Sequence, residues 1–408
     1  MMVYLENIAQ ISILQFETSG KTQHYVASFE DRHFEINESV ARLIGTMQES
    51  STLSEVSQKY RGENGRQYSE PEIEKIIERY IGPIFHALQT PQKHPFLFKI
   101  ELLSQSTIEQ FSNILKLAFN RYIITGLVLC ITTLEIYLIL HETILVSFGE
   151  VNLYVILGVI LLLLLSSFVH EVGHASACRH YKIKHGGVGF GLYLTFPVFY
   201  TDVSETWKLK RRERLVVNMA GVYFQLILLI PFFITYFLTG NHIIKWFLLT
   251  VNIGFLITLN PFFKFDGYWI VSDLLGVSNL RKKSGELIQF FIKKLFKREI
   301  GKAPYLSQIK CTERTALIVY TVIVNLFFVF YFFFLIPAFI YRFYTSFPPL
   351  IEQLIYRLSS GQTIGFDLIQ ALCVQLLFMA LIIYLLVRML MPFLVNIKIH
   401  VRKKHAAE

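Results

Sequence analysis

The sequence predicts a mainly α, polytopic membrane protein of about six transmembrane helices, preceded by a small α+β, winged-helix-like N-terminal domain. Three observations predict it. Of the 408 residues, 53% are hydrophobic and 15% aromatic, more than a soluble domain carries. Six apolar segments of bilayer length occupy residues 122–141, 151–178, 215–238, 246–263, 315–341 and 366–395. Charge is unevenly divided: residues 1–100 hold ten Lys and Arg against thirteen Asp and Glu, net −3, which leaves 29 against 17 (39 − 10 and 30 − 13), net +12, for the rest. Basic charge spread through the membrane part suits orientation and contact with anionic lipid, and it argues against nucleic acid as a partner. Cys130, Cys178, Cys311 and Cys373 are far apart with no CxxC pair, which excludes a disulfide framework or zinc ribbon. The first thirty residues lack the apolar core of a signal peptide, so the N-terminus is expected in the cytoplasm.

Residues 1–95 read as one cytoplasmic domain. Alternation in 11–16, 25–29 and 33–36 predicts three short strands. Three helices follow: one capped by Asn37 or Ser39 and burying Val40, Leu43, Ile44 and Met47, one capped by Ser51 or Thr52, and one started by Ser69 and Pro71. This order, with the Phe34-Glu35-Ile36-Asn37-Glu38-Ser39 and Thr52-Leu53-Ser54-Glu55-Val56 stretches, resembles the PqqD-like domains that recognise leader peptides in the maturation of ribosomally made peptides. The resemblance implies a leader peptide as partner, added to an exposed sheet edge. A winged helix that merely packs on the membrane part remains open. Residues 96–121 are amphipathic and predict a linker helix, and residues 122–400 form the membrane domain.

Loop charge sets the expected orientation. The connections at 142–150, 239–245 and 342–364 carry no Lys or Arg, Lys245 alone, and Arg342 with Arg357; those at 179–214 and 264–314 carry eight and eleven. The alternation predicts both termini inside, in the inner (cytoplasmic) membrane. The second span then runs inward.

At its inner end stands His170-Glu171-Val172-Gly173-His174. At about 100° per residue the two histidines share one helix face, which lets two imidazoles reach one metal with Glu171 beside them. Zinc suits two imidazoles, and a catalytic site needs a third protein ligand and a position for water. His180 has the spacing of a known third histidine, but Ala177 stands where a turning glycine would be needed; Glu205 and Glu213 lie in or near a basic run. Asp266, one of five aspartates, follows the fourth span in Asn260-Pro261-Phe262-Phe263-Lys264-Phe265-Asp266-Gly267. That span also runs inward, and Pro261 disfavours helix at Asn260, so a carboxylate arrives at the same face beside a broken helix.

HEVGH ending one span and NPFFKFDG ending another, together with 196–203 and 211–225, resemble the site-2 protease family of intramembrane zinc metalloproteases over residues 150–280. The resemblance implies zinc held by His170, His174 and Asp266, Glu171 as general base, and Asn260 holding an extended substrate. Val222 departs from the proline that family often places there. The spaced glycines of 187–200 predict a hairpin near the site, with Gly189 and Gly191 as substrate-binding candidates. Residues 280–300 predict a basic amphipathic helix on the inner membrane surface, and the aromatic run 327–334 lipid-facing packing. The function expected is a zinc metalloendopeptidase hydrolysing a ribosomally made precursor peptide at the cytoplasmic side. Two alternatives stand beside it: proteolysis of a single-span signalling protein such as an anti-sigma factor, and a non-catalytic peptide export or immunity protein.

Overall fold

A computed structural model describes residues 8–29, 32–62, 65–89, 96–141, 153–193, 196–296 and 305–405. The chain forms two compact units that divide after Thr321.

The first unit begins with a three-stranded antiparallel sheet in the order β1 (Ser12–Phe16), β2 (His24–Phe29), β3 (Arg32–Asn37), with Phe16 opposite His24. Four helices follow: α1 (Glu38–Gln48), α2 (Leu53–Lys59), α3 (Glu70–Tyr80) and α4 (Gly82–Gln89). Each of the first three starts where a side chain satisfies its free N–H groups. Asn37 Oδ1 accepts from Val40 N–H, Thr52 Oγ1 from Glu55 N–H, and Ser69 forms a capping box with Glu72 ahead of Pro71. Leu43, Ile44, Val56, Ile73 and Ile77 meet in the domain's core. The fourth helix follows Ile81, which is itself buried there, and the three-helix reading omits it.

The segment expected as a linker helix is half strand. Phe96–Leu103 forms β4, and the helix α5 (Gln105–Leu115) begins only after Ser104. Phe98, Ile100 and Leu102 alternate with Lys99 and Glu101, a period of two that a helical reading of the same apolar residues passes over. The strand is held by a partner far along the chain: β4 pairs antiparallel with β5 (Val188–Tyr193), which pairs with β6 (Phe196–Thr201) in a second sheet of order β4-β5-β6.

Among the described residues five helices are long and apolar enough to cross a membrane. In the first unit these are α6 (Arg121–His141), α7 (Leu153–His180) and α8 (Arg211–Thr239). The fourth apolar segment, expected over 246–263, is instead the shorter helix α9, His242–Thr258, of 17 residues. It ends just ahead of Asn260-Pro261, and after a turn the chain restarts as α10 (Asp266–Leu275) and α11 (Leu280–Leu295). Leu138, Leu229, Phe233, Phe247, Leu248 and Val251 form a buried cluster joining α6, α8 and α9.

The fourth of the five starts as α12 (Cys311–Phe330) and passes through a π-helical turn, Tyr331–Leu335, into α13 (Ile336–Ser359), 49 residues in all, and the fifth, Phe366–Tyr384, is the first part of α14 (Phe366–His405). In the second unit α13 packs on α14 through stacked Phe339 and Phe378, 5.6 Å apart, and a hydrogen bond from Gln375 to Ser346. Phe330, Phe333 and Phe334 of the aromatic run are exposed, as lipid-facing side chains would be. Residues 142–150, and with them the first of the expected outer loops, Leu194 of the hairpin, and Lys297, Arg298 and Lys302 of the basic run lie outside the described residues.

Candidate metal centre

Helix α7 continues unbroken to His180, so His170 and His174 stand one turn apart on one face. Helix α8 crosses that face at van der Waals distance, because two glycines remove the obstructing atoms. A Cβ on Gly173 would lie 2.5 Å from the Ala220 carbonyl oxygen, and one on Gly221 would lie 2.4 Å from the His170 ring. The same helix orients both imidazoles. His170 Nδ1 lies 3.0 Å from Gln225 Oε1, whose amide nitrogen donates to Ser166 Oγ at 2.9 Å, and His174 Nδ1 lies 2.8 Å from the Val217 carbonyl. Both partners are oxygens that only accept, so each Nδ1 carries the proton and each Nε2 turns a lone pair to the opposite side.

Asp266 enters on that side. Between α9 and α10 the Asn260 side chain accepts from Phe262 N–H at 2.7 Å and shapes the turn. Gly267 lets the next backbone lie on it, since a Cβ there would sit 2.0 Å from the Leu259 carbonyl oxygen. Asp266 Oδ2 is 2.9 Å from His170 Nε2 and 3.5 Å from His174 Nε2, and the two Nε2 atoms are 3.1 Å apart. Tetrahedral zinc with bonds of about 2.0–2.1 Å needs donor atoms about 3.3 Å apart, so the triangle has the required size. The buried Oδ2 is near both rings by distance, yet no hydrogen bond of proper alignment reaches it among the described residues. Burial alone would raise the Asp266 carboxyl; only when the imidazoles of His174 and His170 are protonated do their charge and hydrogen bonds outweigh that and hold it well below the usual carboxylate range. Two imidazole nitrogens and an orphaned carboxylate oxygen facing one point fit a zinc ion better than a hydrogen-bonded cluster.

The other candidates are placed elsewhere. His180 is exposed, its ring against Phe119 and Tyr181; Glu205 pairs with Lys208 at 2.5 Å; Glu213 accepts from Lys210 N–H at the start of α8. Glu171 is half-buried beside the two histidines, with its carbonyl accepting from Thr201 Oγ1 of β6. The hairpin of 187–200 lies against α7, where Phe199 meets Phe168 edge-on. Gly189 and Gly191, however, are in its central strand, paired to β4 on one side and β6 on the other, so their backbone edges are taken. Gly189 makes room for the Tyr200 ring, and the uncovered edge of this sheet beside α7 is β6. Asn260 uses its side-chain oxygen in the turn, in contact with the backbone that seats Asp266.

Sequence reasoning missed the residues that orient the site. Gln225, the one polar side chain in an apolar stretch of α8, carried a signal. Arg214 and Asp273 carried none. Arg214 is buried, with its guanidinium 2.6 Å from Asp273 Oδ1, while Asn218 donates to Asp273 Oδ2 at 2.8 Å. Burial lifts the Asp273 carboxyl above its ordinary range despite these partners. Beside the pair opens a cavity of about 380 Å³ lined by Phe16, Thr201, Asp202, Trp207 and Trp269 among others.

No family model matches the chain, and no solved structure matches it. Over 121 residues, 29% of its length, the chain is 25% identical to a protein of Bacillus subtilis (strain 168) named "Putative peptide zinc metalloprotease protein YydH". The matched stretch spans about half of that relative, 48% of its length.

Proposed function

We propose that the protein is a zinc metalloendopeptidase of site-2 protease type that hydrolyses a peptide bond in a ribosomally made precursor peptide at the membrane. The observation that carries this reading is the triangle of His170 Nε2, His174 Nε2 and Asp266 Oδ2, with sides of 2.9 to 3.5 Å, at the end of an apolar helix. The relative named as a peptide zinc metalloprotease supports the same chemistry and substrate class.

His170, His174 and Asp266 would hold the metal. A zinc ion there supplies Lewis-acid polarisation of a carbonyl and a lowered pKa for water. Glu171, one residue from the first ligand, takes the proton of the attacking water and returns it to the leaving amine. Gln225 and the Val217 carbonyl keep the imidazoles in the tautomer that faces the metal. Strand β6 lies along α7 beside Glu171 and offers an extended substrate a backbone edge, which matters because a helical substrate hides its carbonyls until unwound.

The test uses purified full-length protein with a candidate precursor peptide. Wild type should bind one zinc and cleave; Glu171→Gln should keep the zinc and lose cleavage on the order of 100-fold or more. Cleavage by Glu171→Gln at the wild-type rate, or full zinc in Asp266→Ala, would sink the assignment.

A further inference from the structure

The end of β1 and the turn after it reach from the N-terminal domain into the frame around Asp266. Phe16, the last residue of β1, is buried; its ring lies 4.5 Å under the Arg214 guanidinium and stacks on Trp207 at 5.2 Å. Arg214 also donates to the Glu17 carbonyl, and Arg211 N–H donates to the Glu17 carboxylate. Ser19, buried, gives both its N–H and its hydroxyl to the Gly276 carbonyl at 2.8 and 3.1 Å. Gly276 ends α10 in the left-handed conformation, with φ of 61°.

Helix α10 is the element that carries Asp266. Asp273 lies seven residues on, two turns along the same face. Its carboxylate is fixed by Arg214 and Asn218 of α8, the helix whose next turns orient His174 through Val217 and His170 through Gln225. The register of α10 on α8 therefore sets the distance from Asp266 to the two imidazoles. That register is held at the far end of α10 by N-terminal residues: Phe16 closes one face of Arg214, and Ser19 holds the last carbonyl.

We propose that the β1–β2 turn is a positioning element of the metal centre, in which Phe16 and Ser19 act through Arg214, Asp273 and Gly276 to hold α10 where Asp266 can complete the ligand set. The inference rests on the zinc reading above. The N-terminal domain is then part of the zinc site's frame in addition to any peptide it binds.

The experiment measures zinc affinity of full-length protein by competition with a chromophoric chelator. Phe16→Ala should weaken zinc binding about 10-fold or more, in the range that loss of outer-shell support produces, with yield and helical content unchanged. Phe16→Tyr should restore it, because the ring is kept and the adjoining cavity admits a hydroxyl. Asp273→Asn should weaken binding similarly, and Leu14→Ser, an exposed change on the same strand, should leave it alone. If Asp273→Asn fails to accumulate, the Phe16 pair decides. Wild-type affinity in Phe16→Ala would overturn the proposal, as would weakened binding in Phe16→Tyr equal to that of Phe16→Ala. A wild-type protein that binds no zinc would instead overturn the zinc reading itself.

Discussion

Glu171 lies beside the two histidines and Gln225 holds His170 Nδ1, and their substitution should separate two losses. Glu171→Gln removes a proton acceptor and leaves the donors in place. Gln225→Leu keeps volume but removes the acceptor at His170 Nδ1, which frees the ring to rotate and to take the other tautomer. Zinc affinity should fall about 10- to 100-fold, measured by chelator competition, while the glutamate variant should bind as wild type. Gly221→Val should be more severe than either, because its side chain would occupy the space of the His170 ring, and the purified protein should hold no zinc by metal analysis.

At the scale of elements, one face of α8 does most of the arranging. Arg214, Val217, Asn218, Gly221 and Gln225 recur at helical spacing and reach Asp273, His174 and His170 in turn. Little of this was legible in the sequence. The HEVGH helix was, since two histidines one turn apart depend only on local periodicity, and so was the break at Asn260-Pro261, since proline acts on its own neighbours. The ring partners depend on which faces of α7 and α8 meet, and no local pattern encodes that. Strand β4 was misread for the same reason: it exists because β5, some ninety residues later, offers it an edge. Gly189 and Gly191 marked a hairpin correctly, but the substrate-binding reading could not show that β4 and β6 take both of their backbone edges.

For the whole molecule, the N-terminal sheet and the segment after α10 share a second contact that should respond to acid. Glu35 of β3 pairs with His24 at 2.8 Å and accepts from Ser278 Oγ. Burial alone would raise its carboxyl, but the His24 and Ser278 hydrogen bonds and the charges of His24 and Lys283 outweigh that, and the net shift is below the ordinary 4.5. A carboxyl depressed in the folded state stabilises it above the ordinary value and loses that contribution as pH falls through the folded value. The thermal midpoint of wild type should therefore exceed that of Glu35→Gln at neutral pH, and the gap should narrow as pH falls below 4.5 and through the depressed value of the folded carboxyl. A gap that is constant with pH would show that the carboxylate charge is not what holds the contact. The interlock also means that removing the N-terminal domain would test two things at once, so the proposed recognition of a peptide is better probed by single changes on its sheet edge.

The short helix α9 carries a consequence for the lipid. Its 17 residues rise about 26 Å, less than the roughly 30 Å hydrocarbon thickness of an ordinary bilayer, while α7 beside it has 28 residues. Thinning the bilayer around α9 is one way such a mismatch is met, and α9 leads directly into the break ahead of Asp266. Hydrophobic thickness would then bear on the proposed cleavage. Reconstituted into bilayers of increasing acyl-chain length, the protein should cleave fastest in the thinner ones and progressively more slowly as the membrane thickens around the break; a rate indifferent to chain length would mean that protein alone shields that end of α9.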